Sequence, residues 1–145
     1  MKCINHVLEI ETSAELEFYD LTPRLRALIS ASGIWQGWMI VSSLHTTCAV
    51  IVNENEPRLL EDINGVLSRL VPKDAAYLHN DILARNMPDE PLNAHAHIAS
   101  ILLGATQTLS VFEGAPTLGV WQSVLLVELD GPRQRKINVQ IAGSI

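Results

Sequence analysis

The sequence predicts a single α+β domain over residues 1–145, a largely antiparallel β-sheet or sandwich covered by about three helices. Three observations carry this reading. Strand-like segments and helical stripes alternate too irregularly for a doubly wound parallel sheet. The last third of the chain is a run of adjacent strand-like segments separated by turn residues. The length, 145 residues, suits one domain with one core.

Residues 4–11 alternate as a strand, with Ile4, His6, Leu8 and Ile10 on one face. His6 therefore reads as a core or interface residue outside any site. Thr22 as cap and Pro23 at the first helical position open a helix carrying Leu21, Leu25, Leu28 and Ile29 at helical spacing, and Gly33 closes it. Residues 38–45 read as a central strand because both faces are apolar; residues 49–52 are a second buried strand or its continuation past a bulge. Pro57 opens the clearest helix, whose stripe Leu59, Leu60, Ile63, Val66, Leu67 and Leu70 is assigned to the core, and Pro72 ends it. Residues 72–93, rich in proline and polar side chains, form a long irregular connection, a kind of segment that often carries function. Asn93 caps a third helix with Ile98, Ile101 and Leu102 facing inward and Gly104 at its end. Residues 108–112, 118–130 and 135–141 follow as strands, with turns at Glu113-Gly114-Ala115-Pro116 and Asp130-Gly131-Pro132. In the longest of them Trp121, Ser123, Leu125, Val127 and Leu129 share one apolar face, which makes Trp121 a core residue.

The chain is 48% hydrophobic and only 18% charged, an apolar excess that needs a partner surface or a thick sheet to hide it, so an oligomer is one expectation. A formal net charge of -6 with ten basic residues argues against a nucleic-acid or anionic-membrane surface. The one basic cluster is Arg133-Gln134-Arg135-Lys136. Cys3 and Cys48 form no CxxC pair and the first residues lack the apolar stretch of a secretion signal, so a reducing cytoplasm is expected, with Cys48 a small buried residue. No apolar run reaches the length of a membrane span.

Four of the five histidines fall in three short stretches, Ser43-Leu44-His45-Thr46-Thr47, Tyr77-Leu78-His79-Asn80-Asp81 and Asn93-Ala94-His95-Ala96-His97. Imidazole is the commonest transition-metal ligand and titrates near neutrality, so this grouping marks a site assembled by folding. His95 and His97 would point the same way on a strand and share a metal; on a helix they would lie about 200° apart, in a first turn that favours phosphate. His45 with the Thr46 and Thr47 hydroxyls, and His79 with Asn80 and Asp81, could each add a metal ligand or a phosphate donor. Asn53 and Glu54 stand before the second helix as open candidates, whereas Glu56 reads as its cap. Arg133, borne on a turn, is a cation that could meet phosphate.

His45-Thr46-Thr47-Cys48-Ala49, Asn53-Glu54-Asn55-Glu56, Tyr77-Leu78-His79-Asn80, Asn93-Ala94-His95-Ala96-His97, Gly119-Val120-Trp121-Gln122 and Asp130-Gly131-Pro132-Arg133 occur in the order and approximate spacing of the YjbQ-like family, described as secondary thiamine-phosphate synthases. The resemblance spans residues 42–143. Two departures show: the family usually has Ala at Cys48 and Thr at Val120, the second removing a hydroxyl. The resemblance implies a compact α+β domain assembled as a homotrimer, with the histidine motifs near subunit boundaries and a divalent metal, Mg or Zn, or an anion bound there. It implies a reaction in which hydroxymethylpyrimidine diphosphate and a thiazole phosphate are joined with loss of pyrophosphate. On this reading His45, His79, His97 and Glu54 are the catalytic candidates, and Thr46, Thr47, Asn53, Asn93 and Arg133 hold the small phosphorylated substrate. His45, His79, His95 and His97 are the metal candidates. Two other functions fit the same residues. One is a metal-dependent hydrolase in which three histidines bind zinc and Glu54 or Asp81 serves as base. The other is a non-catalytic small-ligand or interaction module.

Overall fold

The computed structural model describes residues 1–145. The chain runs through strand β1 (Lys2–Glu11), β2 (Glu17–Asp20), helix α1 (Thr22–Ser32), β3 (Gln36–Ser43), β4 (Cys48–Asn53) and α2 (Pro57–Leu70). A single 3-10 turn (Leu78–Asn80), α3 (Ala94–Leu103), β5 (Thr106–Phe112), β6 (Ala115–Pro116), β7 (Ser123–Glu128) and β8 (Gln134–Ser144) follow. Every strand pairing is antiparallel: a five-stranded sheet in the order β1-β8-β3-β5-β6 and a three-stranded sheet in the order β2-β7-β4. With three helices this is the α+β domain expected.

The core sits between the sheets. Leu8, Met39, Val41, Ile137, Val139 and Ile141 of the larger sheet meet Val50, Val124 and Leu126 of the smaller one, and Leu21, Leu25 and Ile29 from α1 close the space. The smaller sheet is covered on its other face too, where Ala49, Val127 and Leu129 pack on Leu67 of α2 and Ala96 and Ala99 of α3. Burial on both faces explains why Val124-Leu125-Leu126-Val127 is continuously apolar rather than alternating. No helix is long and apolar enough to cross a membrane.

Several local expectations are corrected. Residues 49–52 are the second buried strand of the two alternatives, not a continuation past a bulge: β3 lies in the larger sheet and β4 in the smaller, and the turn between them carries His45. β2 is too short and too acidic to have an apolar period of its own. The strand expected over residues 118–130 is shorter, β7 starting only at Ser123, so Trp121 stands before it, 74% exposed, instead of in the core. Leu21, not Thr22, occupies the cap position of α1; the Thr22 hydroxyl instead accepts the Val124 amide at 2.9 Å and ties the helix to β7. Of the α2 stripe only Leu67 is buried, and Val66 and Leu70 face outward.

Helix α3 is turned the other way from expectation. It buries Ala94, Ala96, Ala99 and Ser100, and leaves Ile101 80% and Leu102 60% exposed. Small side chains let the helix approach the sheet closely, and Ser100 donates to the Cys48 carbonyl at 2.9 Å. Asn93 holds the cap position but makes no side-chain cap bond; Asn80 supplies it, its Oδ1 accepting the Ala94 amide at 3.0 Å. His6 is exposed on β1, so it is not a core residue.

Candidate functional site

At the end of the smaller sheet where Cys48 of β4 pairs with Glu128 of β7, four segments converge. The turn between β3 and β4 brings His45, Thr46 and Thr47, and the 72–93 connection brings His79, Arg85 and Glu90. The start of α3 brings Asn93 and His97, and the β7–β8 turn brings Asp130 and Arg133. Together they enclose an open cavity of about 850 Å³ in which Leu44 is the lone hydrophobic residue among 15. Function-bearing side chains thus sit on turns and helix starts, held by the core beneath.

The rings of His79 and His97 meet edge to face, with centroids 4.9 Å apart. Burial holds the His97 pKa below its usual value, and the neighbouring His79 adds to the effect. His45 is fixed differently: its Nε2 accepts the Lys136 backbone amide at 2.8 Å. That bond assigns the neutral ring its proton on Nδ1, so Nε2 is not free to ligate a metal. Burial, and next the Arg135 guanidinium, lower the His45 pKa.

The cavity's cations are oriented by carboxylates. Arg133 donates through Nε to the Asp130 carbonyl at 2.8 Å and through Nη2 to Asp130 Oδ2 at 2.9 Å. Its side chain stays 43% exposed, with Nη1 unclaimed by these bonds. Asn93 donates to the same Asp130 oxygen at 2.8 Å. Arg85 bonds Glu90 at 2.8 Å and the His79 carbonyl at 2.9 Å. At the floor, Arg135 forms a buried pair with Glu128 beneath it. Burial pushes the Glu128 carboxyl up, but the bonds from Arg135, the Asp130 amide and Thr12 outweigh it and hold the pKa low.

Of the expected site residues, His45, Thr46, Thr47, His79, Asn93, His97 and Arg133 line this cavity. His95 does not, because two residues of helix turn it onto the other face of α3. There it lines a separate cavity of about 280 Å³ with Glu15, Lys73 and Leu67. Its Nδ1 is buried without a partner and its Nε2 lies 4.0 Å from Glu15. Asn53 and Glu54 also stand apart, at the far end of β4, where the Glu54 amide donates to Asn53 Oδ1 at 2.7 Å. Asp81 is taken up locally, accepting the Ala84 amide at 3.1 Å. Within the chain no three His, Cys, Asp or Glu side chains are grouped closely enough to hold a metal ion, so the expected four-histidine set is not assembled there.

Four charged lining residues were not among the expected site residues: Arg85, Glu90, Asp130 and Arg135. Arg85 and Glu90 lie in a segment with no periodic signal. Arg135 carried one unread sign, the carboxylate Glu128 at the end of an apolar strand, which burial obliges to find a cation.

Fold and cavity define a compact α+β domain whose polar, histidine-lined pocket opens at the end of a doubly covered sheet. The chain belongs to the UPF0047 family of YjbQ-like proteins, whose model matches residues 6–144. It is 42% identical over 143 residues to a UPF0047 protein of Methanothermobacter thermautotrophicus, a match spanning 99% of this chain and 94% of that one. It is 33% identical over 137 residues to YugU of Bacillus subtilis, spanning 94% and 97%. Among solved structures it resembles a YbjQ-like protein of unknown function from Sulfolobus solfataricus, with a TM-score of 0.89, 34% identity and 99% of both chains covered. A hypothetical protein of Aeropyrum pernix matches with a TM-score of 0.86 and 35% identity, covering 97% of this chain and 99% of that one.

Proposed function

We propose that the cavity binds a small phosphorylated molecule and that the protein is a group transferase of the thiamine-phosphate synthase type. One observation carries the reading: three imidazoles, three guanidiniums and two threonines line one open cavity. Its volume of about 850 Å³ falls in the range of small-molecule sites. In the transfer, the carbon–oxygen bond to the diphosphate breaks, pyrophosphate leaves with the electron pair, and the thiazole nitrogen forms the new carbon–nitrogen bond. The nitrogen attacks through its lone pair, so the protein need not remove a proton from it. What the site must supply is stabilisation of charge growing on the departing oxygen. Arg133 and the Nδ1–H of His45 are donors suited to that task, and the His79 and His97 rings, packed edge to face, line the same cavity. The His, Cys, Asp and Glu side chains of one chain do not by themselves form a metal set.

A homotrimer belongs to the same proposal, supported by the exposed apolar ridge Ile98, Ile101 and Leu102 on α3. The hydrolase reading lacks a third histidine within reach of His79 and His97, with Nε2 of His45 already engaged. Calorimetric titration with pyrophosphate tests the binding. Wild-type protein is expected to bind it in a saturable way and Arg133→Ala to lose most of that affinity. The two-substrate assay, read as pyrophosphate release, tests the chemistry. Absence of saturable binding in the wild type would sink the proposal.

A further inference from the structure

We propose that the buried Glu128–Arg135 pair is a positioning device that holds three walls of the cavity in register, an inference that rests on the anion-binding reading above. Glu128 is fully buried and Arg135 only 2% exposed. Oε1 of Glu128 accepts the backbone amides of Leu129 and Asp130, both at 2.9 Å, and so fixes the turn that presents Asp130. Oε2 accepts the Thr12 hydroxyl at 2.8 Å, and that hydroxyl oxygen in turn accepts the Arg133 amide at 2.8 Å. From the other side, Arg135 grips Glu128 through Nε at 2.7 Å and donates from Nη2 to the Thr47 hydroxyl at 2.8 Å. One residue further along, the Lys136 amide holds His45. The β3–β4 turn, the β7–β8 turn and the start of β8 therefore meet through a single pair of side chains.

Stability alone does not account for the pair. Taking two charges out of water is unfavourable, their attraction roughly offsets this, and apolar replacements of similar volume are often neutral or stabilising. What apolar side chains could not reproduce is the set of directed bonds. Glu128 engages two backbone amides, a hydroxyl and a guanidinium at once, and those bonds set where Arg133, Thr47 and His45 stand.

The test compares the wild type with the double variant Glu128→Leu/Arg135→Met and with Thr12→Val, a residue outside the cavity lining that links Glu128 to Arg133. Thermal unfolding, pyrophosphate affinity and the ¹⁵N spectrum of the His45 ring are read for each. The double variant is expected to stay folded with affinity lowered about tenfold or more. The His45 spectrum should lose its single-tautomer pattern. Thr12→Val is expected to weaken binding at least about threefold, the loss of one directed bond. Wild-type affinity and an unchanged His45 spectrum in a folded variant would overturn the proposal. If the double variant fails to fold, Thr12→Val decides by the same two readouts. If the wild type itself does not bind pyrophosphate, the anion-binding reading fails, and the ligand-free His45 spectrum still decides the positioning role.

Discussion

At the scale of single residues, His45 and His97 combine a supported backbone with a side chain that core packing does not consume. Replacing either by Ala should lower pyrophosphate affinity and turnover far more than stability. Leu25→Ala in the fully buried wall of α1 should do the reverse, losing about 2–5 kcal/mol of unfolding free energy while activity per folded molecule persists. Chemical denaturation beside titration separates the two classes. Both histidines have pKa values below the usual value of about 6.5, so between the folded and unfolded values the unfolded chain binds the extra protons. Their contribution is complete above about pH 6.5 and is lost as pH falls through the folded values. The unfolding midpoint should therefore drop between pH 7 and pH 5, and His45→Ala should flatten part of that slope. A midpoint that rises toward pH 5 would contradict the assignment of a neutral His45. The histidine stretches were legible because imidazole is rare and was grouped in this chain. The position of Glu54 was not legible, because carboxylates beside a helix start look alike whether they face a pocket or, as within this chain, stand at the far end of a strand.

Secondary-structure elements were legible in proportion to the local signals that define them. Pro57 and Glu56 placed the start of α2, and the structure shows Glu56 accepting the Arg58 and Leu59 amides. Glu56→Ala should lower stability by about 1 kcal/mol, measured by urea unfolding. Which face of a helix is buried was not legible by hydrophobicity alone. Ile98, Ile101 and Leu102 are among the most apolar side chains of α3, yet alanines, with Leu103 beside them, face the sheet because only a thin layer fits there. The same ambiguity hid Trp121, since a pattern of alternation says nothing about where the sheet ends. Exchanging Ala96 for Leu should be more disruptive than exchanging Ile101 for Ala. Overpacking against Ala49 and Leu129 costs about 1–3 kcal/mol, whereas Ile101 fills no core space within the chain.

For the molecule as a whole, the proposed trimer would cover the exposed ridge on α3. Gel filtration coupled to light scattering should report about three times the 16.0 kDa chain mass. Ile101→Glu should shift that toward the monomer without unfolding the domain, because a charge on a covered apolar face is costly while one in water is not. A wild-type monomer at micromolar concentration would remove the trimer. The register of the larger sheet also sets an order of assembly. β1 finds its partner only in β8, from Lys2 opposite Gly143 to Glu11 opposite Gln134, and β3 needs the same strand on its own flank. During synthesis, then, the first strand waits without a neighbour until the last one emerges, and closing so large a loop makes folding slow and dependent on topology rather than on local propensity. β8 also supplies Arg135 and the Lys136 amide that holds His45, so the cavity becomes competent in the same late event that completes the sheet. A ribosome-bound chain lacking residues 134–145 should accordingly remain protease-sensitive and bind no pyrophosphate, and should gain both properties together once that strand is released.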